Sequence, residues 1–207
     1  MIVNEATLKK LIKSAWLNNA LFWGKIGGRY IVGNGSWFLR INEHRMSQKA
    51  LAALVEFTGI IPTEGMVFKC SDGTNQIVLS ETVKEQFRYI DLLEDEKNPI
   101  VNKTDIIISA GYGFPTARLY QSKSLRKTIA INEIFTGLIE GKREPGEDLF
   151  KADPYLSKMY VYWMTDEACL IVYPILFSNV KKDSPAYDTA NLFARLSKIN
   201  LLDGTDV

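Results

Sequence analysis

The feature that most constrains this chain is a faint self-similarity at an offset of 90 residues. Tyr30 recurs as Tyr120, and the tripeptide Ile41-Asn42-Glu43 recurs as Ile131-Asn132-Glu133. Each tripeptide closes an apolar stretch, Ser36-Trp37-Phe38-Leu39-Arg40 in the first copy and Lys127-Thr128-Ile129-Ala130 in the second. A short helical pattern and two strand-like runs follow each of them. A repeat has to keep its element order to bury a repeated core, so the order of elements around these marks carries more weight than the identities.

That order reads as follows. Leu8, Leu11, Ile12, Ala15 and Trp16 fall on one face of a helix over 4–18, with Asn4 as its cap. Three strand-like runs, 21–26, 29–32 and 36–41, are broken by Gly27-Gly28 and Gly33-Asn34-Gly35, which suit tight hairpins. A second helix spans 46–57, stopped by Gly59 and Pro62, and the runs 66–70 and 76–80 make a hairpin around Ser71-Asp72-Gly73-Thr74. The second half starts with a helix over 82–93, where Thr82 and Glu85 have capping-box spacing. Runs at 105–109, 116–121 and 127–131, a helix over 132–140, a polar loop over 141–154 and a hairpin of 159–164 with 169–176 complete it. Both halves read αβββαββ. A last helix over 185–199, with Ser184 as cap and Pro185 in the first turn, has no counterpart. The expected architecture is α+β: two tandem units with antiparallel meandering sheets, at 1–81 and 82–180, followed by a C-terminal helix and tail at 181–207.

A chain of 207 residues with 46% hydrophobic and 24% charged residues can bury a core without disulfide staples. Cys70 and Cys169 each sit in a strand-like run and read as buried reduced thiols. The first residues show no basic segment leading into an apolar one, and no apolar run approaches the roughly 20 residues of a membrane span. A cytoplasmic protein without membrane contact is the expectation. The net charge of +1 gives no overall attraction to nucleic acid, so any such role needs a local basic face.

Chemistry-bearing motifs are few. His44, the single histidine, lies at a strand-to-helix junction and reads as a solvated loop residue. Neither glycine cluster is followed by the Gly-Lys-Ser/Thr of a phosphate loop or set in the strand–loop–helix order of a dinucleotide site. Gly111-Tyr112-Gly113-Phe114-Pro115 is the one stretch that suits a ligand loop, and it defines an alternative reading as a small-molecule enzyme. The acid pairs Glu94-Asp95-Glu96, Glu147-Asp148 and Asp166-Glu167 all fall in turns and read as solvated loops. No catalytic, metal-ligating or cofactor motif stands out, so the chain reads as a non-enzyme with no cofactor.

The basic residues are more suggestive. Lys9 and Lys13 are four apart on the first helix, with Lys10 beside them. Lys84 and Arg88 are four apart on its apparent counterpart, and Lys49 sits on the second helix. Residues four apart share a helix face, and repeated helices presenting cations are suited to phosphates. Lys9, Lys10, Lys13, Lys49, Lys84 and Arg88 are the candidate DNA-binding residues.

Tandem helices and meandering sheets with basic helix faces resemble the domain plan of DNA sliding clamps. Lys127-Thr128-Ile129-Ala130-Ile131-Asn132-Glu133-Ile134-Phe135-Thr136-Gly137-Leu138-Ile139 is similar to the strand-then-helix segment of a bacterial clamp's last domain. Tyr160-Val161-Tyr162-Trp163 and Leu170-Ile171-Val172-Tyr173-Pro174-Ile175 are similar to its closing hairpin, with Tyr173 where the family has methionine. The resemblance implies a non-enzymatic protein that contacts double-stranded DNA or replication proteins, in a ring made of several chains. It also has departures: bacterial clamps have three domains per chain, and they lack the added helix, which would cover the surface where clamp partners usually dock. An interaction or assembly module of a mobile element, with no nucleic-acid role, is the other reading.

Overall fold

The computed structural model describes residues 3–77, 98–109, 115–122, 124, 127–139, 154–157, 160–177 and 180–202. The fold is mixed α+β. Among the described residues there are four α-helices and eleven strands, and the strand pairs are antiparallel. The chain divides into two compact units: Met1–Lys97 with Leu138–Lys151 and Trp163–Ile171, and Asn98–Gly137 with Ala152–Tyr162 and Val172–Val207.

The first unit begins with helix α1 (Glu5–Leu17), where the Asn4 side chain accepts from the Thr7 amide at 3.0 Å, as the sequence predicts. Strands β1 (Leu21–Ile26), β2 (Arg29–Asn34) and β3 (Trp37–Asn42) form the expected meander. Gly27 and Gly28 form the two-residue turn between β1 and β2, with φ of 60° and 72°. Two consecutive positive φ values define the turn type whose twist matches a hairpin, and glycine adopts them without strain. Gly33 is needed for a different reason: a Cβ there would lie 2.2 Å from the Trp37 carbonyl oxygen.

A 3-10 turn (Glu43–Arg45) leads into α2 (Gln48–Thr58), and β4 (Met66–Ser71) and β5 (Thr74–Ile77) follow. Helix α2 starts later than its apolar pattern suggests, because Ser47 accepts from the Ala50 amide and fixes the first turn. Within this unit the strand order is β5-β4-β1-β2-β3, and β11 (Ala168–Val172) lies beside β3.

Register places Leu21 and Trp23 of β1, Val32 of β2 and Leu39 of β3 on one sheet face, all fully buried. Trp23 donates its indole N–H to the Ile60 carbonyl just past α2, which ties that face to the helices. Helix α1 contributes Leu8, Leu11, Ile12 and Ala15 to the core, and α2 contributes Ala50, Ala53 and Leu54. Trp16 departs from expectation. It is only partly buried at the margin of the α1 stripe, with its ring 5.4 Å from Phe57, because the stripe is centred on Ile12 and Ala15 and the next turn faces α2 instead of the sheet.

The second unit holds β6 (Asn102–Ile108), β7 (Ala117–Ser122) and β8 (Lys127–Asn132) in a three-stranded sheet, then α3 (Glu133–Ile139) as far as Gly137. The two-residue strand β9 (Tyr155–Leu156), for which the sequence carries no signal, pairs with β10 (Val161–Met164). The last helix, α4 (Tyr187–Leu196), starts two residues later than expected; Ser184 caps the preceding turn by accepting from the Ala186 amide. The predicted helix over 82–93 and nearly all of the predicted loop over 141–154 lie outside the described residues.

The repeated marks hold equivalent local places. Ile41-Asn42-Glu43 and Ile131-Asn132-Glu133 each end a third meander strand and open a helical turn. The register is not repeated, however. Tyr30 pairs with Ile41, and an exact repeat would pair Tyr120 with Ile131, yet Tyr120 pairs with Ile129. Strand pairing differs as well, since β4 joins β1 whereas β10 pairs with β9. Among the described residues the two copies share a three-stranded meander followed by a helical turn, while β9 adds a strand with no counterpart in the first copy and the pairing plan differs.

Trp23→Ala is expected to destabilise the protein by about 3–5 kcal/mol in denaturant unfolding, because it empties a closed site. Trp16→Ala should lose at least about 1 kcal/mol less, since its side chain already meets solvent in part. Equal losses would contradict this assignment of the core.

Candidate nucleic-acid interface

Helices α1 and α2 pack against each other. Side-chain contacts across them join Glu5 with Lys49, Lys9 with Glu56 and Trp16 with Phe57. The cation spacing on α1 follows from its core stripe. With Leu8, Ile12 and Ala15 inward, helical periodicity turns Lys10 and Lys13 directly away from the sheet and puts Lys9 on the flank nearest α2.

Lys9, Lys10, Lys13 and Lys49 are all exposed on this helical layer. Lys9 Nζ lies 2.9 Å from Glu56 Oε2, and Lys49 Nζ lies 3.9 Å from Glu5 Oε2. These are solvent-screened pairs across the seam, of a kind that contributes little to stability. Among the described residues Lys10 and Lys13 have no ion pair. On the two helices four lysines stand against two carboxylates, which leaves an excess charge of +2. The structure thus brings four of the six candidate residues onto one layer; Lys84 and Arg88 lie outside the described residues.

A second polar group forms at the end of the same unit, where β1 turns into β2 and β3 runs into the 3-10 turn. Glu64 accepts from the amides of Gly27 (2.6 Å) and Gly28 (3.1 Å), and these bonds hold its carboxyl below the usual range. Glu43 accepts from Lys25 (2.7 Å) and from the Tyr30 hydroxyl (3.2 Å). The Lys25 bond is the main cause of the lowered Glu43 pKa and of the raised Lys25 pKa. Glu167 accepts from the Asn42 side chain at 2.6 Å and lies 3.2 Å from His44 Nε2 and 3.4 Å from Arg45; the Asn42 bond is the largest cause of its lowered pKa.

One expectation is thereby corrected: Glu167 is not a freely solvated turn residue. His44 is exposed at the strand-to-helix junction, as the sequence reads. Helix spacing makes the lysines visible in the sequence. The Glu64 and Glu167 contacts span 36 and 125 residues, and no local signal announces them.

Cys70 and Cys169 are buried free thiols, and burial pushes the Cys70 thiol up to about 12, which leaves it un-ionised and unreactive at neutral pH. Gly111, Tyr112, Gly113 and Phe114 of the suggested ligand loop lie outside the described residues, as do Glu94-Asp95-Glu96 and Glu147-Asp148. Among the described residues no helix is long and apolar enough to cross a membrane. No protein-family model and no curated protein sequence matches the chain.

The three carboxylates give a pH signature. Their folded pKa values lie below the ordinary value, so their contribution to stability is present above about pH 4.3 and is lost as pH falls through the lowered values. Thermal unfolding followed from pH 6 to about pH 3 should therefore show a falling melting temperature whose slope is shallower in Glu64→Gln. An identical slope in the variant would contradict the assignment.

Proposed function

We propose that this chain is a non-enzymatic, clamp-like protein whose α1–α2 layer rests on the phosphates of double-stranded DNA. The observation that carries the reading is the sharing of one exposed helical layer by Lys9, Lys10, Lys13 and Lys49, backed by an antiparallel sheet. Such a layer has no base-reading side chains in a defined fork, so contact is with the backbone and independent of sequence. Lys84 and Arg88 extend the surface in this proposal. The tandem units at 1–81 and 82–180 would be its repeating parts. Two units cannot encircle a duplex alone, so a homo-oligomer is part of the reading, with replication proteins as partners and the cytoplasm as its location.

One observation favours the competing reading, an assembly module without a nucleic-acid role. Lys9 and Lys49 are engaged by Glu56 and Glu5, which reduces the field available to phosphates.

A fluorescence-anisotropy titration of a labelled duplex over a salt series separates the two. The clamp reading expects weak binding that ignores sequence and falls with salt at a log–log slope of about −2 to −4, for two to four neutralised phosphates. Lys10→Glu with Lys13→Glu should abolish binding while changing folding stability by less than about 1 kcal/mol, because both are surface positions. A folded sample that does not bind duplex at low salt would leave the assembly-module reading in its place.

A further inference from the structure

We propose that residues 187–202, helix α4 and the turn after it, form a strap that opens as a unit while the β6-β7-β8 sheet beneath it stays folded. The face it covers is apolar: Ile108, Ala117, Leu119 and Ala130 are buried there, with Phe193, Leu196 and Leu201 of the strap packed against them. None of the ten residues of α4 is itself buried. A helix this short does not persist alone in water, so α4 exists only while it is docked. The residue at its N-cap, Ala186, makes no side-chain cap, which leaves the first turn without that support.

One side chain holds the far end. Gln121 is 4% exposed, and it uses both ends of its amide. Its Nε2 donates to the Ile199 carbonyl at 2.7 Å and to Thr128 Oγ1 at 2.9 Å, while its Oε1 accepts from the Leu201 amide at 2.7 Å. A buried amide satisfied this way is a latch: opening trades its two bonds to the strap for bonds to water, and closing restores both. The rings of Phe177 and Phe193, with centroids 4.9 Å apart, make the second hold near the middle of the strap. Opening exchanges these contacts for solvent and uncovers the apolar face, while the ladder of β7 with β8 is untouched.

Native-state hydrogen exchange on the full chain tests this. The amides of Ala190, Ser197 and Leu201 should exchange about 100-fold faster than those of β7 and β8, with little dependence on low denaturant, as expected for sub-global opening. Gln121→Ala should speed exchange in 187–202 by a further factor of about ten and leave β1–β3 unchanged. Protection of 187–202 within about threefold of that in β7 would overturn the proposal, because the helix would then open only with the whole unit. The wild-type profile decides this alone if the variant fails to fold. A variant that accelerates every segment of the second unit equally would refute Gln121 as the latch.

Discussion

The first unit depends on the contact between the two helices and one face of the meander, with Trp23 at its centre. Leu8 and Ile12 from α1, Leu54 from α2, and Leu21, Trp23, Val32 and Leu39 from the sheet are all fully buried. Burying apolar surface on this scale is the dominant favourable term in folding, and it fixes how each helix is rotated. Once Leu8, Ile12 and Ala15 face inward, Lys10 and Lys13 have to face outward. The candidate interface is thus a by-product of core packing: the surface charge pattern follows from the buried one. The indole N–H of Trp23 adds direction, since its bond to the Ile60 carbonyl sets where the chain leaves α2 before entering β4.

The polar end of the unit orders its loops by a different means. Three carboxylates, Glu43, Glu64 and Glu167, each collect two or more donors from segments distant in sequence. Glu64 takes the two turn amides that strand pairing leaves unmade, so the Gly27-Gly28 turn is held from outside as well as by its own glycines. Glu167 draws the β10–β11 turn against the end of β3, where the Asn42 amide also donates to the Glu167 carbonyl at 2.9 Å. In the second unit Arg118 plays the corresponding part, binding Glu133 through its guanidinium and donating to the Thr104 carbonyl at 3.3 Å. The glutamates of the two Ile-Asn-Glu marks are therefore used alike, since each accepts from a cation on a meander strand.

Local periodicity and turn chemistry make much of this legible in the sequence. The meander can be read because Gly27-Gly28 interrupts an apolar pattern at a spacing that only a tight hairpin satisfies, and α1 can be read because Asn4 precedes its stripe. The start of α2 is harder to place, because Met46 looks like part of the apolar stripe while Ser47 supplies the cap. Trp16 reads as core only when five stripe positions are treated alike, although a helix beside another helix faces two neighbours. The lysines can be read by spacing, but the seam acids Glu5 and Glu56 that engage two of them cannot, since that pairing depends on how α1 lies against α2. The Gln121 latch is invisible for the same reason: it joins residues 78 and 80 positions apart.

The proposed contact between the outer face of the α1–α2 layer and DNA phosphates is open to direct test by lysine footprinting. Brief acetylation with and without a saturating duplex at low salt, read by mass spectrometry, reports each amine separately. If the layer rests on phosphates, Lys10 and Lys13 are protected most and Lys9 and Lys49 less, while the exposed Lys69 and Lys127 react at the same rate with and without DNA. Equal protection of all lysines, or protection centred on Lys69 or Lys127, would contradict it.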